Sequence, residues 1–179
     1  MAGLIAAVIL CGWLVPAIGS AFPGDWFLMK ANTALAILLS TASLILTQPK
    51  RSDRRLVEGR ICAVIVVFLA STALLGHLSG RTFVMETLLA ADSGAEMPGR
   101  MSIQAISFFA LTGLTLVFEG ARQRSWSHVV DALTIALVGV ILVIIAGYFF
   151  GAANLFGQSQ YTRLSPLALI CMVLLGFAV

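Results

Sequence analysis

The chain has 179 residues, 60% hydrophobic and 11% charged, with a mean hydropathy of +1.02. A soluble domain carries about 45 to 50% apolar and about 25% charged residues, so the composition excludes an ordinary soluble protein and points to a bilayer. The formal charge of +3 and the pI near 9.1 do not indicate a nucleic-acid partner, because the basic residues flank apolar runs and form no aromatic-interleaved face.

The first apolar run, residues 2–20, carries no charge. Its end at Gly19, Ser20 and Ala21 resembles a signal-peptidase site, but no Lys or Arg precedes the run, so it is read as a retained first span. A short loop with Asp25, Trp26 and Phe27 leads to Lys30, placing aromatic rings and a snorkelling ammonium at headgroup level. The second helix covers residues 31–47. Its Asn32 and Thr33 are expected to cap the helix or bond to a neighbour, and Ser40, Thr41 and Ser43 thin one side for close packing.

Residues 48–60 hold Lys50, Arg51, Asp53, Arg54, Arg55, Glu58 and Arg60, the strongest topological marker in the chain. Short basic loops stay in the cytoplasm. In the resulting frame the inner loops hold seven basic residues, Lys50, Arg51, Arg54, Arg55, Arg60, Arg122 and Arg124. The outer ones hold Lys30, Arg81, Arg100 and Arg163, so both termini are expected inside. A third helix over 61–78 ends at His77. The outer loop 79–100 contains Arg81, Glu86, Asp92, Glu96 and Arg100, and its segment 83–91 has the spacing of a short interfacial amphipathic helix.

The stretch 99–118, GRMSIQAISFFALTGLTLVF, forms the fourth helix. The inner loop beyond it carries Glu119, Arg122, Arg124, Trp126 and His128, and a fifth helix follows over 129–150 with a Gly147 and Gly151 pair near its end. The sixth starts near Arg163, with Ser165 and Pro166 in its first turn as cap and first-turn proline. It stops at Val179, still apolar and without the usual basic flank, so more helix and another domain are expected beyond.

Three helix-loop-helix units emerge, over about 1–47, 57–119 and 129–179. Aligning Met101 with Met29 and Leu164 superimposes Ala105 on Thr33 and Ala168, and Gly113 on Thr41 and Gly176. The helices before the second and third copies end alike, in Gly76, His77 and Gly80 and in Gly147, Tyr148 and Gly151, while the first ends in Gly19 and Pro23. The expected fold is thus an all-α integral membrane domain of six transmembrane helices in three repeats.

Residues 1–24, 31–49, 61–80, 101–118 and 132–162 contain no Asp, Glu, Lys or Arg. Intramembrane charges mark ion paths and proton relays, so a coupled transporter or pump is not expected. The three cysteines, Cys11, Cys62 and Cys171, form no Cys-x-x-Cys pair and read as packing residues. His77 and His128 fall on opposite faces, about 30 Å apart across a bilayer core, and cannot clamp one haem within a chain. No phosphate loop, zinc motif or nucleophile elbow occurs, and no enzyme activity or cofactor is expected within these residues, with pigment, haem or quinone contact left open.

The segment MKANTALAILLSTASLIL, 29–46, resembles the repeated Met-x-x-x-Thr-Ala-Leu helices of the six-helix membrane input region at the amino end of bacterial sensor histidine kinases and diguanylate cyclases. PGRMSIQAISFFALTGLTLVF, 98–118, matches in its entry and Gly113 but has Gln104, Ala105 and Ile106 in place of Asn, Thr and Ala. AGYFFGAANLFG, 146–157, is similar to that region's fifth-helix exit, and LSPLALICMVLLGF lacks the Thr-Ala step. The resemblance implies a sensory or dimerising module of the bacterial inner membrane whose output domain follows the last helix.

The expected site lies at the outer ends of the repeats: Asn32, Thr33, His77, Glu86, Arg100, Gln104 and Tyr148. Expected partners are membrane lipid and either a second copy or the subunits of a membrane complex. Two other functions fit the same residues, a structural or accessory subunit of a respiratory or photosynthetic assembly and a small uncoupled permease.

Overall fold

The computed structural model describes residues 1–19, 29–48, 52–80, 101–121, 127–150 and 164–179. Among them the fold is all-α: α1 (Ala2–Leu14), a one-turn α2 (Pro16–Gly19), α3 (Ala31–Leu46), α4 (Asp53–Ser79), α5 (Ile103–Ala121), α6 (Ser127–Phe149) and α7 (Pro166–Gly176). The six principal helices answer to the six runs of the sequence. Two of them, α4 and α6, are long and apolar enough to cross a membrane; α1, α3, α7 and the apolar stretch Ile103–Glu119 of α5 are shorter.

Several boundaries differ from expectation for identifiable reasons. The first run is not one helix to residue 20. Pro16 has no amide proton to give to the carbonyl four residues earlier and forces its predecessor out of the helical region, so Val15 is extended at φ −121 and ψ 98 and α1 ends at Leu14. The third helix begins eight residues earlier than its apolar run, since Arg54, Leu56 and Arg60 are good helix formers and Arg54 Nε pairs with Glu58 Oε1 one turn on, at 3.2 Å. The fifth helix, expected over 129–150, begins two residues earlier at Ser127 and, as expected, contains Asp131, exposed near its start.

The packing order follows the repeats. α1 packs on α3, α3 on α4, α4 on α5, α5 on α6, α6 on α7, and α7 returns to α1. α3 also touches α5 and α7. The second helix of each unit therefore lies inward. α3 buries Ala34, Ala36, Ile37, Ser40 and Ser43, α5 buries Ala105, Phe108, Phe109, Thr112 and Leu116, and α7 buries Ala168, Cys171, Met172 and Leu175. By contrast α6 buries only Leu137, Ile144 and Gly147 along 23 residues. Its Ile135, Leu142, Val143 and Phe149 are exposed, as are Ile61, Val64, Phe68 and Leu78 of α4.

Each unit has one place where its two helices nearly touch, and it recurs at the same aligned position. A Cβ on Gly113 of α5 would stand 2.7 Å from Val67 Cγ2 and 3.2 Å from the Ala63 carbonyl of α4, and one on Gly176 of α7 would collide with Ile141 Cδ1 of α6. In the first unit the aligned residue is Thr41, and the glycine is on the other helix: a Cβ on Gly3 of α1 would stand 2.8 Å from Thr41 Cγ2. Glycine has migrated across the interface while the close approach has stayed.

Candidate functional site

The three inner helices start at one end of the bundle, where α1, α4 and α6 finish. At each start the chain makes the same construction. The residue before the N-cap is a large apolar one, Met29, Met101 or Leu164, and all three are buried. Its carbonyl precedes the helical ladder, which begins with the carbonyls of Lys30, Ser102 and Ser165 accepting from the amides of Ala34, Ile106 and Leu169. Buried and outside the ladder, that carbonyl needs another donor.

A ring at the end of the preceding helix supplies it each time. Trp13 Nε1 donates to Met29 O at 2.9 Å, His77 Nε2 is bonded to Met101 O at 2.8 Å, and Tyr148 OH donates to Leu164 O. A carbonyl oxygen only accepts, so the His77 bond places a proton on Nε2. Indole, imidazole and phenol are different rings that share one property used here, a donor at the far edge of a flat apolar body. We term these contacts latches.

The caps differ between units. Ser102 Oγ accepts from Ala105 N at 3.2 Å and Ser165 Oγ from Ala168 N at 3.0 Å. Lys30 stands at the same place without a side-chain cap. Asn32 and Thr33, expected to cap the helix or bond to a neighbour, are not at the cap, which Lys30 occupies; they are buried at the second and third helical positions, both 4% exposed. Gln104 aligns with Asn32 and is half-buried in the first turn of α5.

Five of the seven expected site residues, Asn32, Thr33, His77, Gln104 and Tyr148, thus gather at one end of the bundle. Glu86 and Arg100 lie outside the described residues, as does the segment 83–91. The sequence reading missed Trp13, because the first run was taken to end at Gly19 and Pro23, beyond the break at Val15. The signal was present as Gly12-Trp13, Gly76-His77 and Gly147-Tyr148, each glycine buried. Trp13 precedes Met29 by 16 residues, and Tyr148 precedes Leu164 by the same 16.

Among the described residues the latched end offers hydrogen-bonding groups. Among the described residues no group of three His, Cys, Asp or Glu could hold a metal ion. His77 at the latched end and His128 at the start of α6 lie at opposite ends of the bundle. What the geometry provides is fastening: each loop between paired helices is held at both ends by a ring-to-carbonyl bond. No protein-family model matches the chain, and no curated protein or solved structure matches it.

Proposed function

We propose that the chain is the membrane-embedded input module of a bacterial signalling protein. It spans the inner membrane six times with both ends in the cytoplasm, reads a membrane or outer-face signal at the latched end, and relays it through α7. The observation that carries this reading is the Tyr148 to Leu164 latch, which joins the end of α6 to the first turn of α7. A ligand or membrane change that binds latched and unlatched arrangements unequally shifts their populations, and α7 moves with the difference.

Two further observations support the bilayer. The outward faces of α4 and α6 carry Ile, Val, Leu and Phe where a water-facing helix would carry charge. The basic residues Arg54 and Arg55 sit at the opposite end from the latches, as the positive-inside bias requires of a cytoplasmic end.

The test uses the native polypeptide, isolated from its own membrane. The expected mass is well above the 19.0 kDa of this sequence, with an output domain following α7. Tyr148→Phe in that protein is expected to change the resting output, with smaller changes for Asn32→Ala and Gln104→Ala. A mass of 19.0 kDa, or an output indifferent to all three substitutions, overturns the reading.

A second reading, an accessory subunit within a larger membrane assembly, is favoured by one feature. Ala132, Ala136, Gly139 and Ala146 are all exposed on α6, and nothing lies within 4 Å of a Cβ placed on Gly139. Such a face admits the backbone of a neighbouring helix. Recovery with other subunits in a fixed ratio would select it.

A further inference from the structure

Among the described residues, the end opposite the latches holds a cation, Arg60, that makes no ion pair. Arg60 lies in the second turn of α4, next in sequence to Gly59, which is buried against Leu46, Thr47 and the Ser43 carbonyl of α3. The Arg60 Nε is buried, with no hydrogen-bond partner among the described residues. Among the described carboxylates at this end, Glu58 and Glu119 have partners. Glu58 accepts from Arg54, whose side chain is 90% exposed, and Glu119 on α5 is exposed with an interaction of its own.

Depth decides what such a group meets. Nineteen residues separate Arg60 from Ser79 at the latched end of α4, a rise of about 29 Å at 1.5 Å per residue, close to the roughly 30 Å of a hydrocarbon core. Arg60 is therefore at the inner boundary between acyl chains and headgroups, and the turn before it projects into the headgroup layer. Immediately on the latch side of it, Ile61 and Val64 are more than half exposed, with Phe68 one turn further. A cationic fork above an apolar strip matches one chemical class, a phosphodiester carrying two acyl chains.

We propose that Arg60 binds the phosphate of an anionic phospholipid of the inner leaflet, whose chains lie along Ile61, Val64 and Phe68. The guanidinium presents paired donors to phosphate oxygens, a geometry an ammonium does not reproduce. Arg54, paired and solvated, contributes field and no site.

This rests on the membrane reading but on neither signalling nor the latches. The experiment counts lipids retained by the full chain, transferred from detergent into nanodiscs of phosphatidylcholine with one-fifth phosphatidylglycerol, using native mass spectrometry. Wild type is expected to keep one phosphatidylglycerol preferentially. Arg60→Gln should weaken that retention about tenfold, Arg60→Lys about three- to fivefold, the scale of one interfacial cation, and Arg54→Gln should change it less than twofold. Equal losses for Arg54→Gln and Arg60→Gln overturn the proposal in favour of diffuse charge. Displacement of the lipid by millimolar inorganic phosphate overturns it in favour of a soluble anion. If Arg60→Gln unfolds the chain, the folded Arg60→Lys variant carries the test, and undiminished retention there also overturns it. Failure to enter nanodiscs at all would instead count against the membrane reading.

Discussion

His77 and Met101, 24 residues apart in sequence, are joined by a 2.8 Å bond from an imidazole nitrogen to a main-chain carbonyl. The equivalent bond closes 16-residue separations in the first and third units. The middle pair of anchors is therefore separated by eight more residues than the other two, and the entropic cost of closing a connection grows only slowly with its length.

Removing one latch donor leaves a buried carbonyl unsatisfied. Tyr148→Phe keeps the ring and deletes the donor, Trp13→Phe keeps an aromatic side chain without one, and each is expected to lower stability by about 1 to 3 kcal/mol. His77→Leu should fall in the same range. The latches tie separate helix pairs, so losses in the triple variant are expected to sum within about 0.5 kcal/mol for independent sites. Unfolding in detergent, followed by circular dichroism, measures all four. A triple variant no weaker than the singles would show that the latches do not act separately.

The close approach in the first unit gives a rescue experiment. Gly3→Ala places a methyl 2.8 Å from Thr41 Cγ2, and overpacking of this kind costs about 1 to 3 kcal/mol. Thr41→Ser removes the opposing methyl, so the double variant should recover most of the loss. Gly113→Ala meets a backbone carbonyl as well as Val67, and Val67→Ala should rescue it only in part.

Gly139 is the matching control. A Cβ there meets nothing, so Gly139→Ala should stabilise α6 by about 0.5 to 1 kcal/mol through helix propensity alone. A destabilised monomeric protein would mean that another helix occupies this face.

The serine caps are separable from the latches. Ser165→Ala and Ser102→Ala each remove an acceptor from a first-turn amide and should cost about 1 kcal/mol. Thermal unfolding checks the size. Ser165→Asp, which keeps the acceptor, is expected to retain stability.

Topology is checked with single cysteines in a background lacking Cys11, Cys62 and Cys171. Ser52→Cys, at the N-cap of α4, should react with a membrane-impermeant thiol reagent only from the cytoplasmic side. Ser79→Cys, at the last residue of α4, should react only from outside. The reverse pattern would invert the orientation.

Much of this architecture was legible because apolar runs and small residues are local signals. The number of principal helices, the register of Met29, Met101 and Leu164, and the cap at Ser165 with Pro166 behind it can all be read without coordinates. The break at Val15 was also written in the chain, as Pro16, but a continuous apolar run concealed it. The early start of α4 was not legible from hydropathy, since Asp53, Arg54 and Glu58 interrupt the apolar pattern while favouring helix. Trp13 was hidden for another reason. Its role depends on a hydrogen bond that three dissimilar rings can make, and a reading by residue identity does not group indole with imidazole and phenol. Of the two roles open to Asn32 and Thr33, capping would have required the helix to start two or three residues later, and bonding to a neighbour is the one that fits their buried positions.

The glycine that lies on α1 in the first unit and on the inner helix in the other two has a consequence for chimeras. Transplanting α5 alone into the place of α3 would set Gly113 against Gly3 and leave a void where Thr41 stood, and moving α3 alone into the place of α5 would press a threonine on Val67 and the Ala63 carbonyl. Neither helix is exchangeable by itself. The smallest piece that can be shuffled between units, in the laboratory or by duplication and divergence, is the pair with its latch.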